Sequence, residues 1–512
     1  ASKIIVDREE IERMGDGNVG EILKRLPGMV ISGRPGRGGD VRMRGLGAGY
    51  TQILIDGERL PRGFTLDSID PDQIERIEIL RAPVAEFGAR AIAGTINIVL
   101  REDFRPRVHA LRLALGREQD RLQGNAAWTH GDRWGPVDYT LTATANRRHA
   151  ADVNVSAIEG RDALGAPTLL QHLSGRSESR SESGFLSARL RWQEGRDRWE
   201  LQPYVSASQS QGQGASMLEQ SVGAMPQPYA SARSQSENHT ALGRMAGSWQ
   251  HVTEDGARWL LRMGASLAQT RTHTDSWQYG MAAASTEAPL LRQRQDDARI
   301  EDVSFNQSGR YARLIAEQHS LVTGWELQLN QRTEARTLLE NGLPQLTDFG
   351  ENVQAATRRV ALYAQDECDI EKGWAFHAGL RWEGIQTLSD SAQQEVRNTS
   401  SVLTPLMHSV WRFADRPRDQ VRLSLTRSYR TPTTAQLIAR PALSSLYPSS
   451  GPNQPTSPDR SGNPQLKPEI ARGIDLAYER YLEAGGLLSV NLFARHIDDL
   501  IRNVRSLQAV SW

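Results

Sequence analysis

Beyond Phe104, apolar and polar residues alternate one by one over long stretches of the chain. In FLSARLRW, Leu186, Ala188, Leu190 and Trp192 share one face, while Ser187, Arg189 and Arg191 share the other. After the turn QEGRD the pattern resumes in WELQPYVSA, with Trp199, Leu201, Val205 and Ala207 set against Glu200, Gln202, Tyr204 and Ser206. These two segments predict a hairpin with one apolar and one wet face. In WAFHAGLRW, Trp374, Phe376, Ala378, Leu380 and Trp382 point one way and His377 and Arg381 the other. Two tryptophans eight positions apart lie roughly 26 Å apart along a strand. Tilted, that spacing matches the apolar band of a membrane barrel with an aromatic at each edge. Alternation in a single strand also suits a soluble sandwich.

Connection lengths separate the two. Short turns are expected near 116–121, 131–136, 193–197, 252–256, 314–318, 368–373, 414–419 and 482–486. Long polar connections are expected at about 150–179, 212–239, 273–297, 334–355, 387–400 and 431–471. Beyond the second turn, short and long connections alternate, as in a barrel with tight turns on one rim and long loops on the other. The spacing predicts about fifteen strands, the last in LLSVNLFARHIDDLI. An antiparallel barrel cannot close on an odd number, so the expectation is a chain that continues beyond Trp512.

The first 104 residues have a different grammar. Asp7 stands as an N-cap with Glu10 three positions on, and Val19, Ile22, Leu23 and Leu26 repeat at helical spacing before Pro27-Gly28. Strand candidates follow in GMVIS, DVRMRG, TQILIDG, IERIEIL and GTINIVL, separated by glycine-rich loops. The expectation is a small α/β domain over 1–104, followed by an all-β barrel over 105–512.

Composition narrows the function. Lys+Arg and Asp+Glu both number 61, so the overall charge carries no signature of nucleic-acid binding. A hydrophobic fraction of 38% is low for a single globular core of this length and suits strands with one wet face. Cys368 is the only cysteine, which excludes a disulfide framework. No apolar run reaches the ~18 residues of a spanning helix. The start, ASKIIVDREE, lacks the layout of a signal peptide, so an exported chain would have lost its leader already. The eleven histidines are scattered. His273 with Asp275 is the one His–acid pair in an expected loop, and it lacks further ligands nearby. No catalytic or metal constellation emerges, and no cofactor is expected.

The ordered set LKRLPGMVIS, VRMRGLG, TQILIDGERL and DSIDPDQIERIEILRAPVAEFGARAIAGTINIVL resembles the plug of TonB-dependent outer-membrane receptors. The resemblance continues at LTRSYRTPTTAQLI, GNPQLKPEIARGIDLAYE and FARHIDDLI, and so covers essentially the whole chain. It departs at Ala82, where the family often has glycine, and at Phe87, where it usually has tyrosine.

The resemblance implies a transmembrane β-barrel of twenty-two strands, about fifteen of them present here, with the plug in its lumen. It further implies an outer-membrane location, a scarce extracellular solute such as a ferric siderophore, and coupling to TonB through a short motif upstream of Ala1. No enzyme activity and no nucleic-acid partner are expected, and a monomer surrounded by outer-membrane lipid suffices. The alternatives are an importer of haem, cobalamin or an oligosaccharide, and a receptor that senses without transporting.

Three plug loops match the family's ligand-facing apices: Arg34 and Arg37, Tyr50, and Arg59, Arg62 and Phe64. Arginine offers forked donors for carboxylate or catecholate oxygen, and aromatics a flat apolar contact. The alternative is that these arginines pair with acids of the barrel wall. Arg42 and Arg44, in a strand candidate, are assigned structural roles. Glu75, Arg76, Glu78 and Arg81 are expected to hold the plug to the wall by breakable ion pairs, or to form a solvated strand face.

Overall fold

The computed structural model describes the chain apart from residues 1–2, 15–18, 27–28, 33–39, 48, 60–73, 89, 91, 101–107, 119, 225, 283–286, 317, 372, 391–394, 417, 452, 454, 483–486 and 511–512. The N-terminal domain begins with β1 (Lys3–Val6) and α1 (Arg8–Met14). Asp7 caps α1 as its sequence predicts: the Glu10 amide donates to Asp7 Oδ1 at 2.9 Å. Helix α2 (Val19–Lys24) buries Val19, Ile22 and Leu23, and Leu26 just beyond it, in the register that their spacing predicts.

Then come β2 (Met29–Ser32), β3 (Asp40–Met43), β4 (Thr51–Ile55), β5 (Glu58–Arg59), β6 (Ile74–Leu80) and β7 (Gly94–Leu100). Five of these seven strands form a sheet in the order β1-β6-β7-β4-β5, and β2 pairs with β3. β7, flanked on both sides, is buried from Gly94 to Val99. With residues of α1, α2 and β6 it belongs to a hydrophobic core that, among the described residues, is made of N-terminal side chains.

The barrel strands follow in antiparallel succession. They are β8 (Val108–Glu118), β9 (Arg121–Trp134), β10 (Val137–Arg161), β11 (Pro167–Glu194), β12 (Asp197–Gly223), β13 (Ser231–Val252), β14 (Arg258–Tyr279) and β15 (Leu290–Ile315). Next come β16 (His319–Glu340), the two-residue β17 (Leu343–Pro344), β18 (Asn352–Glu371), β19 (Trp374–Asp390), β20 (Glu395–Arg412) and β21 (Gln420–Arg430). Helix α3 (Thr434–Leu437), β22 (Glu469–Tyr481) and β23 (Leu487–Asp498) complete the order. Fifteen strands form one ladder from β8 to β23, with β17 paired to β16 off its path. Among the described residues no ladder joins β8 to β23.

The sheet is turned inside out relative to a soluble protein. On β19, Trp374, Leu380 and Trp382 are 42%, 48% and 41% exposed, whereas His377, Arg381 and Glu383 are 3%, 1% and 0% exposed. Apolar side chains facing outward around a charged interior identify lipid as the outer solvent. Near the short-turn rim, Trp192 stacks on Trp199 at 6.0 Å and Trp199 meets Trp249 at 6.0 Å. Trp374 stands directly opposite Trp411 on the neighbouring strand. This is one aromatic girdle of a membrane barrel.

The structure corrects the expected long connections. Residues 150–179 are mostly strand, because β10 and β11 pair from Val137–Trp192 to Arg161–Pro167. The expected loops at 212–239, 273–297, 334–355 and 387–400 are likewise largely the ends of paired strands. A 25-residue strand such as β10 is roughly 80 Å long. About ten residues cross an apolar band, so the remainder rises beyond the membrane as a wet funnel. Only the connection between β21 and β22 remains long.

Candidate functional site

The N-terminal domain sits inside the barrel and meets its wall mainly through individual polar contacts, with one apolar contact of Ala85 against Val322, Tyr363 and Leu406. Arg44 stands one residue past β3 with a φ of 57° and pairs with Asp475 at 2.6 Å, its guanidinium lying over the Phe493 ring. The sequence pattern expects this residue inside a strand; the positive φ places it in the turn that follows. Tyr50 donates its hydroxyl to Glu469 at 3.0 Å, and Arg430 stacks over its ring. Asp56 meets Arg189 at 3.3 Å, Arg81 donates to Asn491 at 2.9 Å, and Arg310 pairs with Glu86 at 2.8 Å. Burial pushes the Asp56 carboxyl above the usual carboxylate range, and Arg189 offsets part of that shift.

Of the four charged residues expected to hold the plug, Arg81 reaches the wall directly. Glu78 is buried inside the N-terminal sheet, accepting from Asn97 at 3.1 Å and from Arg76 at 2.8 Å. That internal pairing follows from the place of β6 between β1 and β7. Glu75 lies half-buried on the same strand. Arg34, Arg37, Arg62 and Phe64 fall outside the described residues, so the apices are represented by Tyr50 and Arg59.

The strongest electrostatic feature was missed in the sequence. On the wall, Arg359 donates to Glu383 and to Glu326, both at 2.7 Å. Arg381 donates through Nε to Glu383 at 2.7 Å, through Nη2 to Glu326 at 2.8 Å and through Nη1 to the plug carbonyl of Ala85 at 3.0 Å. The Tyr429 hydroxyl completes the cluster by donating to Glu383. Next to it, His408 donates to the carbonyl of Pro83 at 3.0 Å. The plug segment Pro83–Ala85 is thereby fastened to β19 and β20 by charge-assisted and neutral hydrogen bonds.

Between plug and wall lies a polar cavity of about 320 Å³, lined by Arg59 and Arg90 from the plug, by Glu326 and Arg359 from the wall, and by Thr431 and Thr433 from the long loop. That loop folds into the funnel. A capping box between Thr433 and Gln436 sets α3, and Leu443 packs with Leu338, Leu346 and Phe349. Arg294 donates to the carbonyl of Ser444 at 2.8 Å, and Arg292 to that of Ser445 at 2.7 Å. Hydrogen bonds from charged donors contribute about 1.5–3 kcal/mol each. Arg292→Ala with Arg294→Ala is therefore expected to raise amide exchange across 443–449 by on the order of a hundredfold, read by mass spectrometry. Unchanged protection would mean that Leu443 packing, with the bonds from Gln278 to Ser445 and from Ser449 to Glu340, suffices to anchor the loop.

A β-barrel that is apolar outside, charged inside and filled by its own N-terminal α/β domain is a plugged outer-membrane barrel. The chain belongs to the TonB-dependent receptor family: residues 1–95 match the family's receptor plug domain and residues 180–511 its receptor-like β-barrel. Its location is the outer membrane.

Among known proteins it is similar to the iron-regulated outer membrane virulence protein of Vibrio cholerae, at 32% identity over 154 residues, which is 28% of this chain and 24% of that one. Its fold is similar to the ferripyoverdine receptor of Pseudomonas aeruginosa bound to ferripyoverdine, with a TM-score of 0.60 and 12% identity over 97% of this chain and 63% of the receptor. The ferric yersiniabactin uptake receptor of Yersinia pestis gives a TM-score of 0.60 at 14% identity, over 98% and 72%. The chain thus spans less than two-thirds of the ferripyoverdine receptor and about a quarter of the curated relative.

Proposed function

We propose that this chain supplies the plug and barrel of a TonB-coupled importer whose solute is a ferric siderophore. The observation that carries the reading is the separateness of the plug. Among the described residues its hydrophobic core contains no wall residue, and apart from one small apolar contact, Ala85 against Val322, Tyr363 and Leu406, its ties to the wall are mostly side-chain ion pairs and hydrogen bonds. A domain held this way can be displaced by an applied force without unfolding the barrel, because its ion pairs with the wall break one by one while the Arg359, Arg381, Glu326 and Glu383 cluster stays with the barrel. The relatives supply the solute class: a ferripyoverdine receptor, a ferric yersiniabactin uptake receptor and an iron-regulated outer-membrane protein. The plug apices that carry Arg34, Arg37, Tyr50, Arg59, Arg62 and Phe64 are the proposed ligand contacts, with arginine matched to carboxylate or catecholate oxygen.

The test is uptake and binding in the same cells. A siderophore-deficient strain expressing the full-length gene is given radiolabelled iron with a panel of siderophores, with and without TonB. Label is expected to accumulate only with TonB, and to fall when Arg34→Ala is combined with Arg37→Ala. Binding without accumulation would favour a sensing receptor. Neither outcome with any siderophore would redirect the search to haem, cobalamin or oligosaccharide.

A further inference from the structure

The lipid-facing side of β21, β22 and β23 carries a row of cations where its apolar ladder ends. Pairing sets Leu423, Leu476 and Leu492 side by side, and Leu425, Ile474 and Ala494 side by side one step nearer the long-loop rim. The next row on the same face is Arg427, Arg472 and His496. Leu425, Ile474, Leu476 and Leu492 are all exposed, as side chains facing hydrocarbon are. Long loops mark the outer side of a membrane barrel, so hydrocarbon gives way to outer-leaflet headgroups at this row.

Like charges directly opposite each other across a ladder repel, and Arg427 and Arg472 stand that way. Arg427 donates through Nη1 to the Leu403 carbonyl at 3.0 Å and its Nε meets no acceptor. Arg472 reaches Asp498 only at 3.7 Å, and that one carboxylate also takes His496 at 3.1 Å. A second opposed pair on the outer wall, Arg271 and Arg299 on β14 and β15, is placed differently. Asp297 and Glu301 stand two residues to either side of Arg299 on its own face, so acids of the protein surround that charge.

Beneath the cationic row runs a groove of about 680 Å³, lined by Pro405 and Met407 of β20 and by Leu425, Ile474 and Ala494. Ala494 is the shortest side chain of its row and leaves the groove open. The volume falls within the range of ligand sites, roughly 300–1,000 Å³. We propose that the groove holds one phosphorylated lipid of the outer leaflet, its acyl chain over Leu425, Ile474 and Ala494 and its phosphate between Arg427 and Arg472. Guanidinium forks match phosphate oxygens, and basic side chains at headgroup depth select anionic lipid. The groove lies on the opposite side of the wall from the plug, so the assignment does not depend on the import reading.

The test is native mass spectrometry of the full chain in detergent, with dioleoyl phosphatidic acid, dioleoyl phosphatidylcholine or inorganic phosphate added. One phosphatidic acid is expected to stay bound, about tenfold better than phosphatidylcholine. Arg472→Gln is expected to lower that retention about fivefold, and Arg427→Gln with Arg472→Gln to bring it to the phosphatidylcholine level. Ala494→Leu, which fills the groove and leaves every charge in place, should weaken it as well. Arg271→Gln with Arg299→Gln should change nothing. Arg472 is exposed, so its variant keeps the test decisive even where Arg427→Gln, by freeing the Leu403 carbonyl, disturbs the ladder. Equal retention of the two lipids by the wild type would overturn the proposal, as would retention of phosphatidic acid unchanged by Arg472→Gln and Ala494→Leu. An equal loss in the Arg271 and Arg299 variant would overturn it too, by reducing the effect to general surface charge. Displacement of phosphatidic acid by equimolar inorganic phosphate would make this a site for free phosphate and overturn the lipid assignment.

Discussion

Replacing Arg381 by alanine is expected to loosen the plug from the wall more than any other single wall substitution. The side chain is fully buried and uses three donors on three acceptors, Glu383, Glu326 and the Ala85 carbonyl. Truncation leaves Arg359 as the one guanidinium bonded to both carboxylates, with Tyr429 still donating to Glu383, and strands a buried carbonyl. Removing one partner of a buried ion pair costs about 3–5 kcal/mol, mostly through the charge left behind. The measurement is calorimetric unfolding in detergent together with hydrogen exchange at Pro83–Ala85, where protection should collapse. Lysine is expected to rescue little, because an ammonium cannot bridge three acceptors as the planar fork does. Arg381→Ala combined with Glu383→Gln should recover part of the loss, since one unbalanced charge is gone. If alanine, lysine and the double variant all melt alongside the wild type, the cluster carries no part of the plug's attachment.

That cluster left a faint trace in the sequence. In RWEGIQ, Arg381 and Glu383 stand two positions apart around Trp382, so alternation places both on the wet face, with opposite charge. Their partners Glu326, Arg359 and Tyr429 lie 55, 24 and 46 positions away, and only the ladder brings them together. The same physics explains which strands were readable. WAFHAGLRW lies in the apolar band, where one face meets lipid and the other the lumen, so its period of two is visible. GQGAS, residues 212–216 in the upper half of β12, lies beyond the apolar band and has no lipid-facing side to make it alternate, so it reads as loop although it is paired throughout.

The plug was legible for the opposite reason. It has an ordinary core, and Val19, Ile22, Ile77, Ile96 and Ile98 mark it at helical and strand spacing. What its sequence does not show is which charges turn inward. Glu78 looks like a wall-facing residue until β7 supplies Asn97 as its partner.

Gly94→Ala is expected to unfold the plug while leaving the barrel standing. Gly94 opens β7 with a φ of 145°, a conformation that side chains rarely adopt. A Cβ there would lie 2.8 Å from the carbonyl oxygen of Leu80 and 2.9 Å from Met43 Cε. The methionine can move, but Leu80 is fixed by its pairing with Thr95 in the central ladder of the plug. Backbone strain and overpacking, roughly 1–3 kcal/mol each, fall on a small domain whose stability they rival. Since, among the described residues, no wall residue belongs to the plug core, its loss removes side-chain ties and the small apolar contact of Ala85 with Val322, Tyr363 and Leu406. Outer-membrane insertion and the barrel's heat-resistant electrophoretic mobility should therefore persist, whereas plug residues become protease-sensitive and planar-bilayer conductance rises. Ala93→Gly, which removes a methyl at the neighbouring buried position without a clash, should show neither effect at full size. Should Gly94→Ala abolish the barrel as well, plug and wall would fold as one cooperative unit, and a plug that moves independently of its barrel would no longer be tenable.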